Sequence, residues 1–550
     1  MKVYERLAQA FQTEGVTHVF GMMGDGNMHW IEALHKIGVE TIEVRHEGVG
    51  LGMADGWARH TRTPGVCTAT CGPGTTQLAT AFVTAARAQS PVVAFCGEFP
   101  TTNQDYDQRL NQEKFADACE VGFVRVVSSD YADEAVRKAF YLAQLKSCPI
   151  MLSVPIDVQQ QLFEDNEPYV PSSAFLPAAS MIRPDPAAIE DAVNVIAASR
   201  KPVIIAGRGA MWANAGDAVL KLGDRIGALI ATTVRSKNWL SGHQYHAGVS
   251  GGYATRTAMQ LFEEADCVVA VGASLNTYTT EHGNLYPKAR YVHLDIQPHV
   301  ALPGTRGADC YVQTDARAGL DAIEGELTKR SVNSIGYRTG NTLERLANQY
   351  EDRTEFEVEL GTIDPRQVCR VLEEAVPGDI PLLIGSGANA GFSMLAFNRE
   401  RPFLHSAHFF GCIGQMLPAA MGISIATSRQ PLMLVDGDAS TLMHFADFDT
   451  AVREKMPILL VVLNDEALGS EYHQMRARNM LADLSRVPSP DIGALARALG
   501  GRGVLARSAE EVRTAAAEWV AMPGPMVIDA RISRNVISLR HRRVLYGKDE

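Results

Sequence analysis

Two short apolar runs, each leading toward an aspartate, make residues 432–469 the most constraining stretch of this chain. Leu432–Val435 leads toward Asp438, and Ile458–Leu463 leads toward Asp465. Continuous apolar runs of this length, separated by a helical pattern, predict two parallel strands that are buried on both faces. Because the carboxyl ends of parallel strands meet at one edge of a sheet, we expect the two aspartates to lie close together.

The segment between the two runs has the spacing of an amphipathic helix. Its apolar residues recur every three or four positions: Leu442, Phe445, Phe448, Val452 and Met456. Because proline cannot continue a helix, we expect a single helix that ends at Pro457. The whole stretch therefore predicts a strand–helix–strand unit of a parallel sheet.

The two loops carry donors that suit a metal-bound anion. Asp438 and Asp465 offer hard oxygen ligands, which favour Mg²⁺ or Ca²⁺ over zinc. Gly437, Ala439 and Ser440 are small residues at the start of a helix, so their backbone N–H groups can face an anion. These features predict a bound diphosphate, and the alternative is a pair of solvated turns between buried strands.

Composition limits the partners and the compartment. The formal net charge of −12 argues against a nucleic acid or an anionic membrane as partner. No apolar run approaches the roughly 20 residues that span a bilayer, and residues 1–15 have the pattern of an amphipathic helix rather than of a signal peptide. The nine cysteines include no CxxC pair, so neither a zinc site nor a disulfide framework is predicted. We therefore expect a cytoplasmic protein.

Apolar runs and helical patterns alternate along the chain, and 550 residues are too many for one compact core. The predicted fold class is α/β, with three consecutive doubly wound domains built on parallel sheets. We expect domains at 1–165, 186–335 and 362–545, with a proline-rich linker between the first two. Residues 201–210 contain an isolated G-x-G, which is a weak nucleotide signal and favours a structural role.

The strings GDAS at 437–440 and VVLND at 461–465 resemble the GDG…NN motif of thiamine-diphosphate enzymes, the group containing acetolactate synthases, pyruvate decarboxylases and benzoylformate decarboxylases. This resemblance implies that Asp438, Asp465 and the carbonyl of Ala467 hold Mg²⁺ against the diphosphate of the cofactor. Alanine replaces the last glycine of the motif, and aspartate replaces its second asparagine. The second change keeps an oxygen ligand but adds a negative charge beside the diphosphate, which we expect the site to tolerate with a changed metal preference. The three predicted domains then resemble the pyrimidine-binding, middle and diphosphate-binding domains of the group.

Residues 44–59, VRHEGVGLGMADGWAR, resemble the HE…A.GYAR segment of this group. The resemblance implies that Glu47 hydrogen-bonds N1′ of the aminopyrimidine of the cofactor and activates it. On composition alone, Glu47 would be a surface residue before a helix. Pro73, in CGPGTTQ, is expected on the pyrimidine side.

Residues 406–418 resemble the segment that lies under the bent cofactor. The resemblance implies that Ile413 forces the bend and that the carbonyl of Gly411 accepts a hydrogen bond from the pyrimidine. The remaining cofactor contacts expected from the resemblance are Gly387, Asn389, Gly437, Ala439, Ser440 and Leu468.

Two segments bear on the substrate. GMMGDGNMHW places Asp25 where pyruvate decarboxylases carry a proton-relay aspartate, but the His-His pair of those enzymes is missing. RLNQEKFAD resembles the FQE segment of acetolactate synthases and makes Gln112 a candidate near the reacting carbon. His29 and His473 are single histidines, which are more often structural.

The resemblance implies an acetolactate synthase-like carboligase or lyase that acts on a 2-oxo acid with thiamine diphosphate and Mg²⁺. The alternatives are a simple 2-oxo acid decarboxylase, a 2-hydroxyacyl-CoA lyase, a diketone C–C hydrolase, or a non-catalytic diphosphate-binding subunit. The middle domain of this group holds FAD, ADP or no nucleotide, with Arg208, Asn276 and Asp295 as the residues concerned here. Active sites in the group form between subunits, so a homodimer or homotetramer is expected.

Overall fold

A computed structural model describes residues 1–165, 167–177, 180–299, 307–401 and 409–547, and the backbone of 404–406. Its strands form three sheets of six strands each. Every pairing between neighbouring strands within these sheets is parallel. The prediction of three consecutive α/β units with parallel sheets is confirmed.

The first sheet has the strand order β2-β1-β3-β4-β6-β5. Its strands are β1 His18–Gly21, β2 Glu40–Glu43, β3 Gly65–Ala69, β4 Val92–Glu98, β5 Gly122–Arg125 and β6 Pro149–Pro155. Its helices are α1 Val3–Thr13, α2 Met28–Lys36, α3 Glu47–Thr61, α4 Pro73–Thr76, α5 Ala79–Ala88, α6 Gln112–Ala118, α7 Ala132–Lys146 and α8 Ile156–Gln159. The first of these helices confirms the amphipathic pattern at the start of the chain.

The second sheet has the strand order β12-β11-β10-β7-β8-β9. Its strands are β7 Pro202–Ala206, β8 Leu229–Thr232, β9 His246–Val249, β10 Cys267–Val271, β11 Arg290–Asp295 and β12 Cys310–Gln313. Its helices are α9 Pro186–Ala197, α10 Arg208–Trp212, α11 Gly216–Ile226, α12 Arg256–Glu263, α13 Thr277–Thr280, α14 Ala316–Lys329 and α15 Gly340–Ala347.

The third sheet has the strand order β14-β13-β15-β16-β18-β17. Its strands are β13 Leu382–Ile384, β14 Leu404–Ser406, β15 Leu432–Gly437, β16 Ile458–Asn464, β17 Arg502–Ala506 and β18 Met526–Arg531. Its helices are α16 Pro365–Ala375, α17 Asn389–Ala396, α18 Met416–Ala426, α19 Asp438–Met443, α20 Phe448–Arg453, α21 Gly469–Ala477, α22 Ile492–Ala498, α23 Ala509–Ala521 and α24 Leu539–Tyr546. Short 3-10 helices occur at Ser129–Tyr131, Ser172–Ala174, Val234–Ser236, Phe445–Asp447 and Ala482–Ser485.

The helical segment after β15 differs from its prediction. Instead of one helix ending at Pro457, the chain forms α19, a 3-10 turn and α20, and it leaves the helical conformation before Lys455, whose φ is 51°. The break lies where the segment contacts the first domain. The N–H of Arg45 donates to Oδ1 of Asp447 (2.7 Å), and the rings of His46 and His444 lie 5.0 Å apart. The single-helix prediction was wrong because apolar spacing does not register contacts made by a distant part of the chain.

The first and third domains are joined by the packing of α3 against α18. The facing surface of α3 carries glycines, and Gly52 lies against Pro418 while Gly56 lies against Ala419. A Cβ on Gly56 would lie 2.2 Å from the main-chain oxygen of Ala419. Because α18 is buried along almost its whole length, it cannot move outward to make room.

We expect Gly56→Ala to destabilise the protein by about 1–3 kcal/mol, since the added methyl group meets backbone atoms that cannot rotate away. Gly325→Ala is the matched control, because Gly325 lies on α14 with nothing within 4 Å of the new Cβ, and it should gain up to about 1 kcal/mol from helix propensity. Urea unfolding followed by tryptophan fluorescence compares the two midpoints. Equal midpoints would show that the two helices do not need this close contact.

Two further observations concern the whole molecule. None of the helices in the described part of the chain combines the length and the apolar character needed to cross a membrane. All nine cysteines are free thiols.

Candidate active site

Three loops at the carboxyl edge of the third sheet enclose a cavity. They follow the neighbouring strands β13, β15 and β16, which brings the distant segments 386–389, 437–440 and 465–469 together. The cavity has a volume of about 80 Å³ and opens to solvent. Its lining includes most of the residues predicted to bind cofactor or metal: Gly387, Asn389, Ile413, Gly437, Asp438, Ala439, Ser440, Asp465, Ala467 and Leu468.

The two predicted metal-binding aspartates influence each other in this cavity. Burial and the nearby Asp465 carboxylate raise the pKa of Asp438 to about 8, and burial raises the pKa of Asp465 to about 7. Ala467 belongs to the same tight loop, and its N–H donates to Oδ1 of Asp465 (3.1 Å). Two poorly hydrated carboxyl groups that repel each other form a site that a divalent cation stabilises.

Asp436 organises the loop between β15 and α19. Its carboxylate accepts hydrogen bonds from the N–H of Gly437 (2.9 Å) and from Oγ of Ser440 (2.7 Å). Ser440 in turn accepts one from the N–H of Gly414 (2.9 Å). A Cβ on Gly385 would lie 1.9 Å from Oδ1 of Asp436, so the residue that follows β13 has no room for a side chain. Sequence reasoning placed Asp436 in the turn but assigned it no role.

Asn389, Gly387 and Arg534 contribute polar groups to the cavity wall. Nδ2 of Asn389 is buried and has no hydrogen bond of ordinary length among the described residues, although its side chain lies near Asp436 and favours the charged form of that carboxyl group. An oxygen of a bound anion would give Nδ2 an acceptor. Gly387, two residues earlier, has a φ of 111°, a conformation that favours glycine. Arg534 also lines the cavity; it donates to the main-chain oxygen of Asp465 (2.7 Å) and pairs with Glu359 (2.9 Å). Sequence reasoning missed Arg534, since a single arginine after a strand carries no recognisable signal.

The other residues predicted around the cofactor take different positions. Gly411, with a φ of 75°, belongs to the loop before α18 that also holds Ile413, but it does not line the cavity. His473 on α21 does line it and is 3% exposed, and burial lowers its pKa to about 4. His29 instead stacks on Tyr4 in the first domain, with 5.3 Å between the ring centroids. His473 is therefore neutral and close to the site, and His29 is structural.

A second group of predicted residues surrounds the loop between β3 and α4. Glu47 is the first residue of α3, and its Oε1 lies 3.1 Å from where a Cβ on Gly74 would be, next to Pro73. Gln112, 2% exposed, donates to the main-chain oxygen of Gly97 (2.6 Å) and to Oγ1 of Thr75 (3.3 Å). Oε1 of Gln112 is buried without a hydrogen-bond partner in the described part of the chain. This group offers a carboxylate and a free amide oxygen beside one glycine-containing loop.

Asp25 lies beside this second group and is held by two hydroxyl groups. Tyr106 donates to its Oδ2 (2.6 Å), and Thr70 donates to its Oδ1 (2.9 Å). Burial opposes ionisation, but these hydrogen bonds prevail and lower the pKa of Asp25. Asp25 is therefore a carboxylate at neutral pH. Sequence reasoning did not anticipate Tyr106, which follows an irregular segment with no periodicity.

The arrangement of two acidic loops and a glycine cradle on the third sheet can be compared with known proteins. Three family models match the chain in order: the N-terminal TPP binding domain of thiamine pyrophosphate enzymes at residues 1–120, their central domain at 189–323, and their C-terminal TPP binding domain at 384–530. The chain belongs to the thiamine pyrophosphate enzyme family.

Relatives extend along nearly the whole chain. The acetolactate synthase large subunit of Parasynechococcus marenigrum is 29% identical over 552 residues, with 96% of this chain and 87% of that protein covered. The acetolactate synthase isozyme 3 large subunit of Escherichia coli is 28% identical, with 91% and 89% covered. The chloroplastic acetolactate synthase 2 of Nicotiana tabacum is 26% identical, with 95% and 81% covered. This family member is a thiamine pyrophosphate-dependent enzyme close to acetolactate synthases.

The residues of the cavity fit the cofactor that the family implies. The acid pair suits a divalent ion, the unpaired Nδ2 of Asn389 suits a phosphate oxygen, and the glycines at 387 and 437 leave room for the anion beside the backbone. Within the described residues, however, the lining comes entirely from 386–536. Glu47 and Gln112 of the same chain do not line it.

The middle-domain residues considered for a nucleotide have other contacts. Arg208 donates to the main-chain oxygen of Ala88 (3.0 Å) in the first domain. The side chain of Asn276 caps α13 by accepting from the N–H groups of Tyr278 and Thr279. These contacts accord with a structural role for both residues. Asp295 ends β11 and lies beside two histidines.

Proposed function

We propose that this enzyme is a Mg²⁺-dependent carboligase or lyase that acts on a 2-oxo acid, in the manner of acetolactate synthases. The observation that carries the proposal is the cavity at which the acid pair Asp438 and Asp465 meets the unpaired donor of Asn389. The relatives named acetolactate synthase, which match this chain over more than nine-tenths of its length, support a 2-oxo acid as the substrate.

The predicted site residues divide into those that bind the metal and cofactor and one, outside the cavity of its own chain, that activates the cofactor. Asp438, Asp465 and the carbonyl of Ala467 hold Mg²⁺, and Asn389 binds the diphosphate together with the N–H groups at the start of α19. When bound, thiamine diphosphate supplies a thiazolium ring that acts as an electron sink for C–C bond cleavage. Glu47 holds a proton at N1′ of the aminopyrimidine, for which its unpartnered carboxylate is available.

We infer that the complete site forms between two copies of this chain. The cavity lacks a first-domain wall among the described residues. Elsewhere on the same chain, Oε1 of Glu47 faces the loop at Gly74, and Oε1 of Gln112 is buried without a hydrogen-bond partner in the described part of the chain. In a symmetric dimer, the cavity of each subunit would face Glu47 and Gln112 of the other subunit, which gives two complete sites. A homodimer, or a tetramer built from two such dimers, is the expected assembly, and an active monomer in analytical ultracentrifugation would contradict it.

Two residues bear on whether the product is an acyloin or an aldehyde. Asp25 lies where pyruvate decarboxylases carry a proton-relay aspartate, which favours aldehyde release. The free Oε1 of Gln112, by contrast, lies in the segment that resembles acetolactate synthases. A simple decarboxylase remains the second candidate, because the hydroxyl groups of Tyr106 and Thr70 hold Asp25 in a fixed position.

Product analysis separates the two candidates. The enzyme is incubated with thiamine diphosphate, Mg²⁺ and a panel of 2-oxo acids, and CO₂, aldehyde and acyloin are measured by mass spectrometry. We expect acyloin to exceed aldehyde, and Asp25→Asn to leave acyloin the main product. Aldehyde as the main product, lost in Asp25→Asn, would favour the decarboxylase. No carbon–carbon cleavage with any substrate would contradict both.

A further inference from the structure

Three potential metal ligands meet at the carboxyl edge of the middle sheet. His293 and Asp295 lie on β11 two residues apart, so both side chains point to the same face, and His299 follows in the loop after the strand. Nε2 of His299 lies 3.3 Å from Oδ2 of Asp295, and Nε2 of His293 lies 3.7 Å from the same oxygen. These three ligand atoms all lie within 4.8 Å of one another.

This spacing is close to that of a metal centre. Bonds of 2.0–2.1 Å in a tetrahedral site place neighbouring ligand atoms about 3.3 Å apart. Two of the three separations here are 3.3 Å and 3.7 Å, and the third is at most 4.8 Å, so a small movement of one imidazole brings the three ligand atoms to metal-binding distances. His299 is able to make that movement, since its side chain is 40% exposed, whereas His293 is fixed in the core.

The buried histidine lacks the partner that such a position normally requires. His293 is 3% exposed, and its Nε2 has no hydrogen-bond partner within the described residues, because 3.7 Å exceeds the length of a hydrogen bond. A buried polar nitrogen without a partner is destabilising. Coordination to a metal ion would remove that destabilisation.

The carboxylate is oriented toward the two imidazoles by other contacts. Oδ1 of Asp295 accepts a hydrogen bond from the N–H of Gln297 (3.2 Å), and its main-chain oxygen accepts one from Oη of Tyr311 (3.1 Å). These contacts leave Oδ2 as the atom that faces His293 and His299. Outer contacts of this kind fix first-shell ligands at metal sites.

We propose that His293, Asp295 and His299 bind a divalent transition-metal ion, such as Zn²⁺, in the middle domain. Two imidazoles and one carboxylate suit Zn²⁺, Co²⁺ or Ni²⁺ rather than the Mg²⁺ of the cofactor site. The ion ties the loop at 296–299 to the end of β11.

Cobalt titration tests this site directly. Bound metal ions are removed from the full-length protein, without a histidine tag, by a chelator. Thiamine diphosphate and Mg²⁺ are then added, so that the acidic site at Asp438 is filled before the titration with Co²⁺ begins. We expect one Co²⁺ per chain, with the visible absorption of imidazole-bound cobalt, and its loss when Zn²⁺ is added. The same titration in the Asp438→Ala variant should give the same band, since that variant lacks the acidic site.

Substitutions at three histidines decide the assignment. His299→Ala should weaken Co²⁺ binding by at least about 10-fold. Because the side chain of His299 is partly exposed, the fold should tolerate this substitution. His35→Ala is the control, because His35 is an exposed histidine on α2, and it should bind like the wild type. An absence of Co²⁺ binding by the wild type would overturn the proposal, and so would equal binding by His299→Ala. His293→Ala, if it folds by circular dichroism, should lose the band as well.

Discussion

Replacing Glu47 with glutamine should lower kcat by about 10²–10⁴-fold, the range expected when a general acid–base group is removed, while thiamine diphosphate still binds. Glutamine keeps the size and the hydrogen-bonding capacity of the side chain but cannot gain or lose the proton. Because Glu47 makes no hydrogen bond to the described residues of its own chain and lies beside the open loop at Gly74, the substitution should not disturb the fold. Steady-state kinetics and calorimetric titration with thiamine diphosphate measure the two effects separately.

Glu134→Gln serves as the matched control for this substitution. Glu134 lies in the first turn of α7, is exposed, and is remote from the loop at Gly74, so it should leave kcat and cofactor affinity unchanged. Unchanged turnover in Glu47→Gln would remove Glu47 from the mechanism. Lost cofactor affinity with normal turnover at saturation would make Glu47 a binding residue instead.

The meeting of Asp438 and Asp465 could be predicted from the sequence because it depends on neighbouring elements. An apolar run, a helix and a second apolar run form a parallel pair by a short right-handed crossover, and β15 and β16 do pair directly. The acidic residues that follow each run must then share an edge. Gly387 and Asn389 reach the same edge through β13 on the other side of β15, and pattern alone does not reveal that distant pairing, so the family resemblance was needed to find them.

Contacts between distant segments were not predictable from periodicity. The interruption between α19 and α20 depends on the backbone of Arg45, which lies some four hundred residues away in the sequence. Tyr106 reaches Asp25 from an irregular segment, and Arg534 reaches the loop of Asp465 from beyond β18. Such contacts leave no spacing signal, since each involves one side chain and not a repeating face.

In the middle domain as well, the sequence pattern predicted an element but not the contacts that its side chains make. Its strand-and-turn motif at 202–210 could be read in sequence, and β7 and α10 form there. The motif did not reveal that Arg208 contacts the first domain, nor that His299 lies beside Asp295. The local sequence pattern therefore predicted the strands and helices. It did not predict the contacts of the side chains at their ends, because those contacts depend on which other segments pack there.

Replacing Asp438 with alanine should abolish Mg²⁺-dependent retention of thiamine diphosphate. We expect cofactor affinity to fall by at least about 100-fold, because the loss of an outer contact at a metal site typically costs about 10–100-fold and Asp438 is a direct ligand. The substitution removes one carboxylate ligand and leaves Asp465 as the remaining acidic ligand. Gel filtration in the presence of Mg²⁺, followed by measurement of bound cofactor, tests this. Asp465→Asn is the control, because it keeps an oxygen ligand and restores the family asparagine; it should retain the cofactor. Full retention by Asp438→Ala would remove the metal from the diphosphate site.

The two substitutions together test where the active site forms. Co-expression of Glu47→Gln and Asp438→Ala chains should restore about one quarter of wild-type activity, although each variant alone is nearly inactive. Half of randomly assembled dimers are hybrids, and a site shared between subunits gives each hybrid one cavity with an intact Asp438 facing an intact Glu47. If Glu47 served the cavity of its own chain, every site in the hybrid would carry one defect and no activity would return. The activity of hybrid dimers separated by two different affinity tags therefore distinguishes a shared site from an internal one.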